Sequence, residues 1–333
     1  MAILKSNFQL YSYLILASFV SCTTTNNSST EEEVIKKEFI TIDEPRSPVY
    51  FTDDQGISWN WPSFELPPTA QVSFIQTFGN EIIVATDNMG ILMSEHNLTN
   101  WYQISNSLPG KKINALYLSG NTIFVGVYNQ GIFESNDQGV TWNSLNYDLA
   151  NLRVRAIIKL NDQLFMGTDD GIFKFSQEQK RWSHLYKNVQ VNSFNVYKGN
   201  IVAGTSLGVL LSSPRGEKWN WIHKLGAVNN TAILDGKIAI MYFSGDVYMS
   251  NEWGSWFKLN YSPRELSYVY EMEQVDNSMI MSNNYGVYQS FDDGKSWKHI
   301  LKTEDMAFMD FVVIENTIYG GTKSWNENRK KSK

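Results

Sequence analysis

Arg153, Arg155 and Arg264 are the side chains of this 333-residue chain best suited to hold an anion. A guanidinium presents paired donors to a carboxylate, and several together make a carboxylate clamp. Tyr261 and Glu265 flank Arg264, while Asp169 and Asp170 follow the other two arginines. A convergent cluster of these groups would point to catalysis on an acidic ligand; dispersed, they are ordinary loop polarity. Other chemistries lack their residues. His96, His184, His223 and His299 form none of the spaced pairs that a metal site uses. The glycines are scattered along the chain rather than gathered into a phosphate loop, and no Gly-x-Ser-x-Gly elbow occurs. The single cysteine, Cys22, excludes internal disulfides and cysteine metal clusters. A net charge of −6 leaves no basic footprint for nucleic acid. Neither a cofactor nor a metal is expected.

The loops that carry these side chains hang on a repeated phrase. Ser290-Phe291-Asp292-Asp293-Gly294-Lys295-Ser296-Trp297 recurs as Ser135 to Trp142 and as Thr52 to Trp59. The shared pattern is Ser/Thr-x-Asp-x-Gly-x-Ser/Thr-Trp. Asp54, Asp137 and Asp292 can fold back on the N–H groups of their own turn. Gly56, Gly139 and Gly294 supply a left-handed backbone. Trp59, Trp142 and Trp297 bring large apolar surfaces that require burial. Degenerate copies end at Trp101, Trp182, Trp219 and Trp256, so seven tryptophans recur at intervals of 37 to 42 residues. That period marks a repeat architecture.

Each unit reads as four strands, labelled a to d from the first to the last. In the second unit, Val72 to Phe78 is strand a and Glu81 to Thr86 is strand b, with Gly79-Asn80 as the turn between them. Ile91 to Ser94 is strand c and Trp101 to Ile104 strand d. The two ends are complementary: the first unit holds only strands c and d, and the last only a and b. Together they complete one blade, giving an all-β propeller of seven four-stranded blades closed by a shared blade. The phrase joins strands c and d on one face. Asp169, Asp170, Arg153, Arg155, Arg264, Tyr261 and Tyr128 fall on loops of the opposite face, the candidate binding face.

The eight-residue phrase resembles the Asp box of sialidase-type propeller repeats, which implies a structural rather than a chemical role for its aspartates. Sialidases of that group clamp the substrate carboxylate with three arginines and use a Tyr–Glu pair with an Asp acid/base. They carry an Arg-Ile-Pro motif near the start, where this chain has Pro45-Arg46-Ser47-Pro48. Residues 49–325, with Gly167-Thr168-Asp169-Asp170-Gly171-Ile172-Phe173 between strands b and c, resemble the photosystem II assembly factor type of seven-bladed propeller. That likeness implies a non-catalytic scaffold. The assembly factors spread an arginine patch across several blades, and this chain holds a fragment of one.

Residues 1–22 read as an export signal with Lys5 before a short apolar core. Ser21-Cys22 resembles a bacterial lipobox, which implies a lipid on Cys22 and an anchor in the cell envelope, with the outer membrane expected. Residues 23–47 form a polar tether, 48–326 the propeller and 327–333 a basic tail. The expectation is an exported, non-catalytic lipoprotein that binds an envelope protein or a glycan. The alternative is a divergent sialidase-like glycan hydrolase or lyase with its site in the central funnel.

Overall fold

The structure, a computed structural model, describes residues 47–324 apart from 62–65, 96–97, 99, 253–254, 261–267 and 304–305. Cys22, the export signal and the basic tail lie outside the described residues, as do Tyr261, Arg264 and Glu265.

The chain is a seven-bladed β-propeller. In blade 1, Val72–Phe78, Glu81–Thr86, Ile91–Glu95 and Trp101–Gln103 pair in sequence as one antiparallel sheet. Blades 2 to 6 repeat this order, beginning with Ile113–Ser119, Val154–Leu160, Val191–Tyr197, Val228–Leu234 and Val269–Val275. The second strands of blades 1 to 5 read as near-continuous apolar runs. Gln163–Thr168 is buried along its whole length after its first residue, because both sheet faces are covered. The core is therefore divided among the seams between blades. Ile83 and Met93 of blade 1 pack with Val125 and Phe133 of blade 2, and Met241 and Met249 of blade 5 pack with Met272 and Met281 of blade 6.

Blade 7 closes the ring. It joins Met306–Ile314 and Thr317–Ser324 to Val49–Thr52, with Val49 opposite Gly321 and Thr52 opposite Ile318. Among the described residues its outer edge is Asn60, which exchanges two 2.8 Å backbone bonds with Phe51. Pro62 follows in the sequence and has no N–H with which to extend the ladder. Each first strand touches the first strands of both neighbours, and Met306–Ile314 meets Val72–Phe78. No blade is left with an open inner edge.

The repeated phrase folds identically in its three full copies. In blade 2 the Ser135 hydroxyl donates to Asp137 at 2.8 Å and accepts the Gly139 N–H at 2.8 Å. Asp137 also accepts the Thr141 N–H at 2.9 Å and its hydroxyl at 2.6 Å. Blade 6 repeats these bonds through Ser290, Asp292 and Ser296, and blade 7 through Thr52, Asp54 and Ser58. The glycine is not alone in the left-handed region. Gln55, Gln138 and Asp293, one residue earlier, also have φ of 60°.

The tryptophans pin blade to blade. Trp142 Nε1 donates to Ile104 O of blade 1 at 2.9 Å, and Trp182 Nε1 to Leu145 O of blade 2 at 2.8 Å. Burial is uneven: Trp59 and Trp182 are buried, whereas Trp142 and Trp297 are only partly covered. The degenerate phrase of blade 4 keeps the local anchor without an aspartate, since Trp219 Nε1 still donates to Gly216 O at 3.1 Å.

Candidate functional site

The first strands surround a central channel, and one irregularity repeated seven times decides what faces it. In every blade the register slips near the start of strand a, as between Val72 and Phe74, Val154 and Ala156, and Phe308 and Asp310. A bulge of this kind takes a residue out of the ladder and re-aims its side chain. The bulged residues Ser73, Asn114, Arg155, Asn192, Asn229, Tyr270 and Met309 all line a cavity of about 450 Å³ at the channel mouth. The next residues, Phe74, Ala115, Ala156, Ser193, Asn230, Glu271 and Asp310, line a deeper cavity of about 350 Å³.

Most of the channel amides hold the ring together. Asn192 donates to Val228 O at 2.7 Å and Asn229 to Val269 O at 2.8 Å, each crossing to the next blade. Asn195 reaches Thr231 O at 2.5 Å. Asn230 donates to Tyr270 O at 3.0 Å and to the Glu271 carboxylate at 2.6 Å. Between blades 7 and 1, Asp310 takes over this role by accepting the Ile75 N–H at 2.9 Å.

The structure brings Arg153, Arg155 and Asp169 together. Arg155 Nε donates to Asp169, and Arg153 Nη1 lies 3.3 Å from the same carboxylate. Arg153 also donates to Asn129 at 3.1 Å. The two arginines thus share one carboxylate of their own blade. Asp170 stands apart: its backbone closes the turn through the Thr168 hydroxyl and the Asn188 N–H, and its residue is exposed. Tyr128 lies under Lys112 Nζ, 4.8 Å from the ring centre. Asp87 organises the neighbouring sector, accepting the Ser73 hydroxyl at 2.8 Å and pairing with Lys323 and Lys112.

Sequence reasoning missed two features. The first is a set of carboxyls on the innermost strands: Glu271 of blade 6 and Asp310 of blade 7, which line the deeper cavity, and Glu273 on the strand of Glu271. Burial, then the charges of Asp310 and Glu273, hold the Glu271 carboxyl well above its ordinary range. Burial pushes Glu273 up to about 7. Asp310 is also raised by burial, against the lowering effect of the Ile75 and Phe311 N–H groups. The available signal was two glutamates, Glu271 and Glu273, in an innermost strand otherwise rich in buried apolar residues.

The second feature is an apolar arc on the loop face of blades 4 to 6. Leu207, Leu225, Phe243 and Tyr285 are exposed there, Leu225 to 63%. All four belong to connections between strands b and c or between d and the next a. Tyr268 adds an edge contact to Phe243 with ring centres 6.4 Å apart. Charged neighbours are engaged: Lys224 covers the Trp221 ring at 4.9 Å, and Lys258 pairs with Asp246 at 2.6 Å. Among the described residues no group of three or more His, Cys, Asp or Glu is placed to hold a metal. No described helix is long and apolar enough to cross a membrane.

No protein-family profile matches the chain, and no curated protein matches it in sequence. Solved structures match in fold. The extracellular domain of BT4673 from B. thetaiotaomicron aligns at a TM-score of 0.65 and 14% identity, over 77% of this chain and 38% of that one. This chain therefore spans well under half of that relative. YCF48 bound to D1 peptide aligns at 0.64 and 16% identity, over 85% of this chain and 99% of that one. The GH74 enzyme of Niastella koreensis aligns at 0.58 and 15% identity, over 76% of this chain and 51% of that one. At these identities the likeness carries the fold alone.

Proposed function

We propose that this protein is a non-catalytic binding scaffold that holds an apolar segment of a protein partner on its loop face. The observation that carries this reading is the arc of Leu207, Leu225, Phe243 and Tyr285 on three consecutive blades. Exposed apolar side chains gathered on one face cost solvation unless something covers them. Loops positioned by a rigid sheet scaffold are where binding surfaces are built. Aromatic anchors at the rim of a funnel suit a peptide segment, and YCF48, a propeller of similar fold, is bound to a D1 peptide in its structure. Arg153 and Arg155, being engaged by Asp169, serve to shape the funnel rim rather than to clamp a substrate carboxylate. The same reading places the chain in the cell envelope after export, attached through lipid on Cys22, with residues 23–47 as the spacer. An extracellular propeller of similar fold supports that location.

The test is capture of a partner by the intact lipoprotein in its own membranes. Wild type and a Leu225→Asp/Phe243→Asp variant would be compared, together with Arg153→Glu/Arg155→Glu. One stoichiometric protein partner, lost in the arc variant while its melting temperature stays unchanged, is the expected result. A partner held equally by the arc variant overturns the assignment of the face. Glycan binding or sialoside hydrolysis by the purified protein overturns the class.

A further inference from the structure

We propose that Glu271 and Asp310 on the channel wall, with Glu273 two residues along the strand of Glu271, form a proton-sensitive seam that tightens the ring in mild acid and loosens it above neutrality. The three carboxyls belong to adjacent first strands, Val269–Val275 and Met306–Ile314. Two of them are structural members of the seams. Glu271 accepts the Asn230 amide from blade 5 at 2.6 Å. Asp310 accepts the Ile75 N–H at 2.9 Å across the join where the C-terminal part of the ring meets blade 1. A change of charge on this wall therefore acts on the contacts that hold blades 5, 6, 7 and 1 in place.

Among the described residues the surrounding strands bring no unengaged cation to the wall: Lys237 of Lys237–Tyr242 pairs with Asp293 at 3.6 Å. Val228–Leu234, Val72–Phe78 and Ser278–Asn283 contain no charged side chain. Thr317–Ser324 contributes Lys323, which pairs with Asp87, and Tyr319, whose phenol burial pushes up. Tyr270, beside Glu271, is likewise raised by burial and stays neutral. Gly286–Ser290 contributes Tyr288, stacked on His299 with ring centres 4.2 Å apart, and burial lowers that imidazole. Arg155 lines the same cavity and is engaged by Asp169. Like charges on neighbouring strands with no counter-ion repel, and a partly desolvated carboxyl takes up a proton to relieve this.

Burial supports the direction: Glu273 is pushed from an ordinary 4.5 to about 7, and Glu271 and Asp310 move the same way. A carboxyl raised in the folded state contributes stability that is fully present below its unfolded value. That contribution is lost as the pH climbs through the folded value, because the unfolded chain gives up its proton first. For Glu273 the window runs from 4.5 to about 7. One unit of separation is a tenfold change in the folding equilibrium, so Glu273 alone contributes on the order of three-hundredfold across it.

Urea denaturation of the full chain from about pH 5 to about pH 8 tests this. The folded-to-unfolded ratio of wild type should fall by more than about tenfold over that range. Glu273→Gln, which keeps the shape and removes the charge, should flatten much of the fall. A wild-type ratio that is level or rises overturns the proposal, as does a Glu273→Gln profile as steep as wild type. Should the variant not fold, carboxyl carbon resonances of wild type labelled at glutamate decide. A titration midpoint near 7 supports the seam; midpoints all near the ordinary glutamate value overturn it.

Discussion

Replacing Gly139 by alanine tests how tightly one blade is locked to the next. Gly139 has φ of +85°, and a Cβ built on it would lie 2.6 Å from Ile104 Cβ and 2.8 Å from Ile104 O of blade 1. The left-handed backbone costs an L-residue about 1–2 kcal/mol. Forcing a methyl into a packed seam costs a further 1–3 kcal/mol or so. Ile104 O is also the acceptor of Trp142 Nε1 at 2.9 Å, so displacing it threatens a bond with a net contribution of about 1 kcal/mol. The expected loss is about 3–6 kcal/mol. Gly79 is the control, with φ of +63° and nothing within 4 Å of the added Cβ. Gly79→Ala should lose only the backbone part, about 1–2 kcal/mol. Both variants reduce the freedom of the unfolded chain equally, so that effect cancels in the comparison. Urea denaturation followed by tryptophan fluorescence measures both, with unchanged m-values as the check on two-state behaviour. Equal losses for the two glycines would refute the close inter-blade contact.

Trp182→Ala should destabilise by about 3–5 kcal/mol, as buried aromatic truncations do, because Trp182 is buried and bonded to Leu145 O. Trp142→Ala, only partly covered, should cost less in the same denaturation assay. Asn230→Leu removes the amide donor from Tyr270 O and from one oxygen of Glu271, whose other oxygen keeps the Met272 N–H; a loss of about 1–3 kcal/mol is expected, measured in mild acid and near neutrality. Asp292 is held at about 2, first by the Ser296 hydroxyl. Its stabilising effect is present above the ordinary 3.8 and is lost as the pH falls towards 2. Denaturation midpoints of wild type should therefore drop on that acid limb, and Asp292→Asn should make the drop shallower.

The turns were legible because their interactions are local. Ser135, Asp137, Gly139 and Thr141 satisfy one another within seven residues, so residue type and spacing specify the geometry. The left-handed residue before each glycine was not legible, since Gln55 and Gln138 carry no chemical mark of that conformation. The pairing of Arg153 and Arg155 with Asp169 was half legible: the three were expected on one face, but not that both arginines share the one carboxylate. Tyr261 and Arg264 lie outside the described residues and take no part in that comparison.

By itself the sequence determined the repeat, the number of blades and the closing of the ring by its two ends. Those follow from a period near 40 residues and from hydrophobic runs, which each unit states independently. Only the tertiary structure decided which polar side chains face the channel. That outcome depends on a bulge in every first strand and on partners far apart in sequence, such as Asn195 with Thr231 and Asp310 with Ile75, 36 and 235 residues away. A one-residue slip in a strand exchanges its faces. The chemistry of the channel was therefore fixed by register and by the neighbouring blade, neither of which any single repeat encodes.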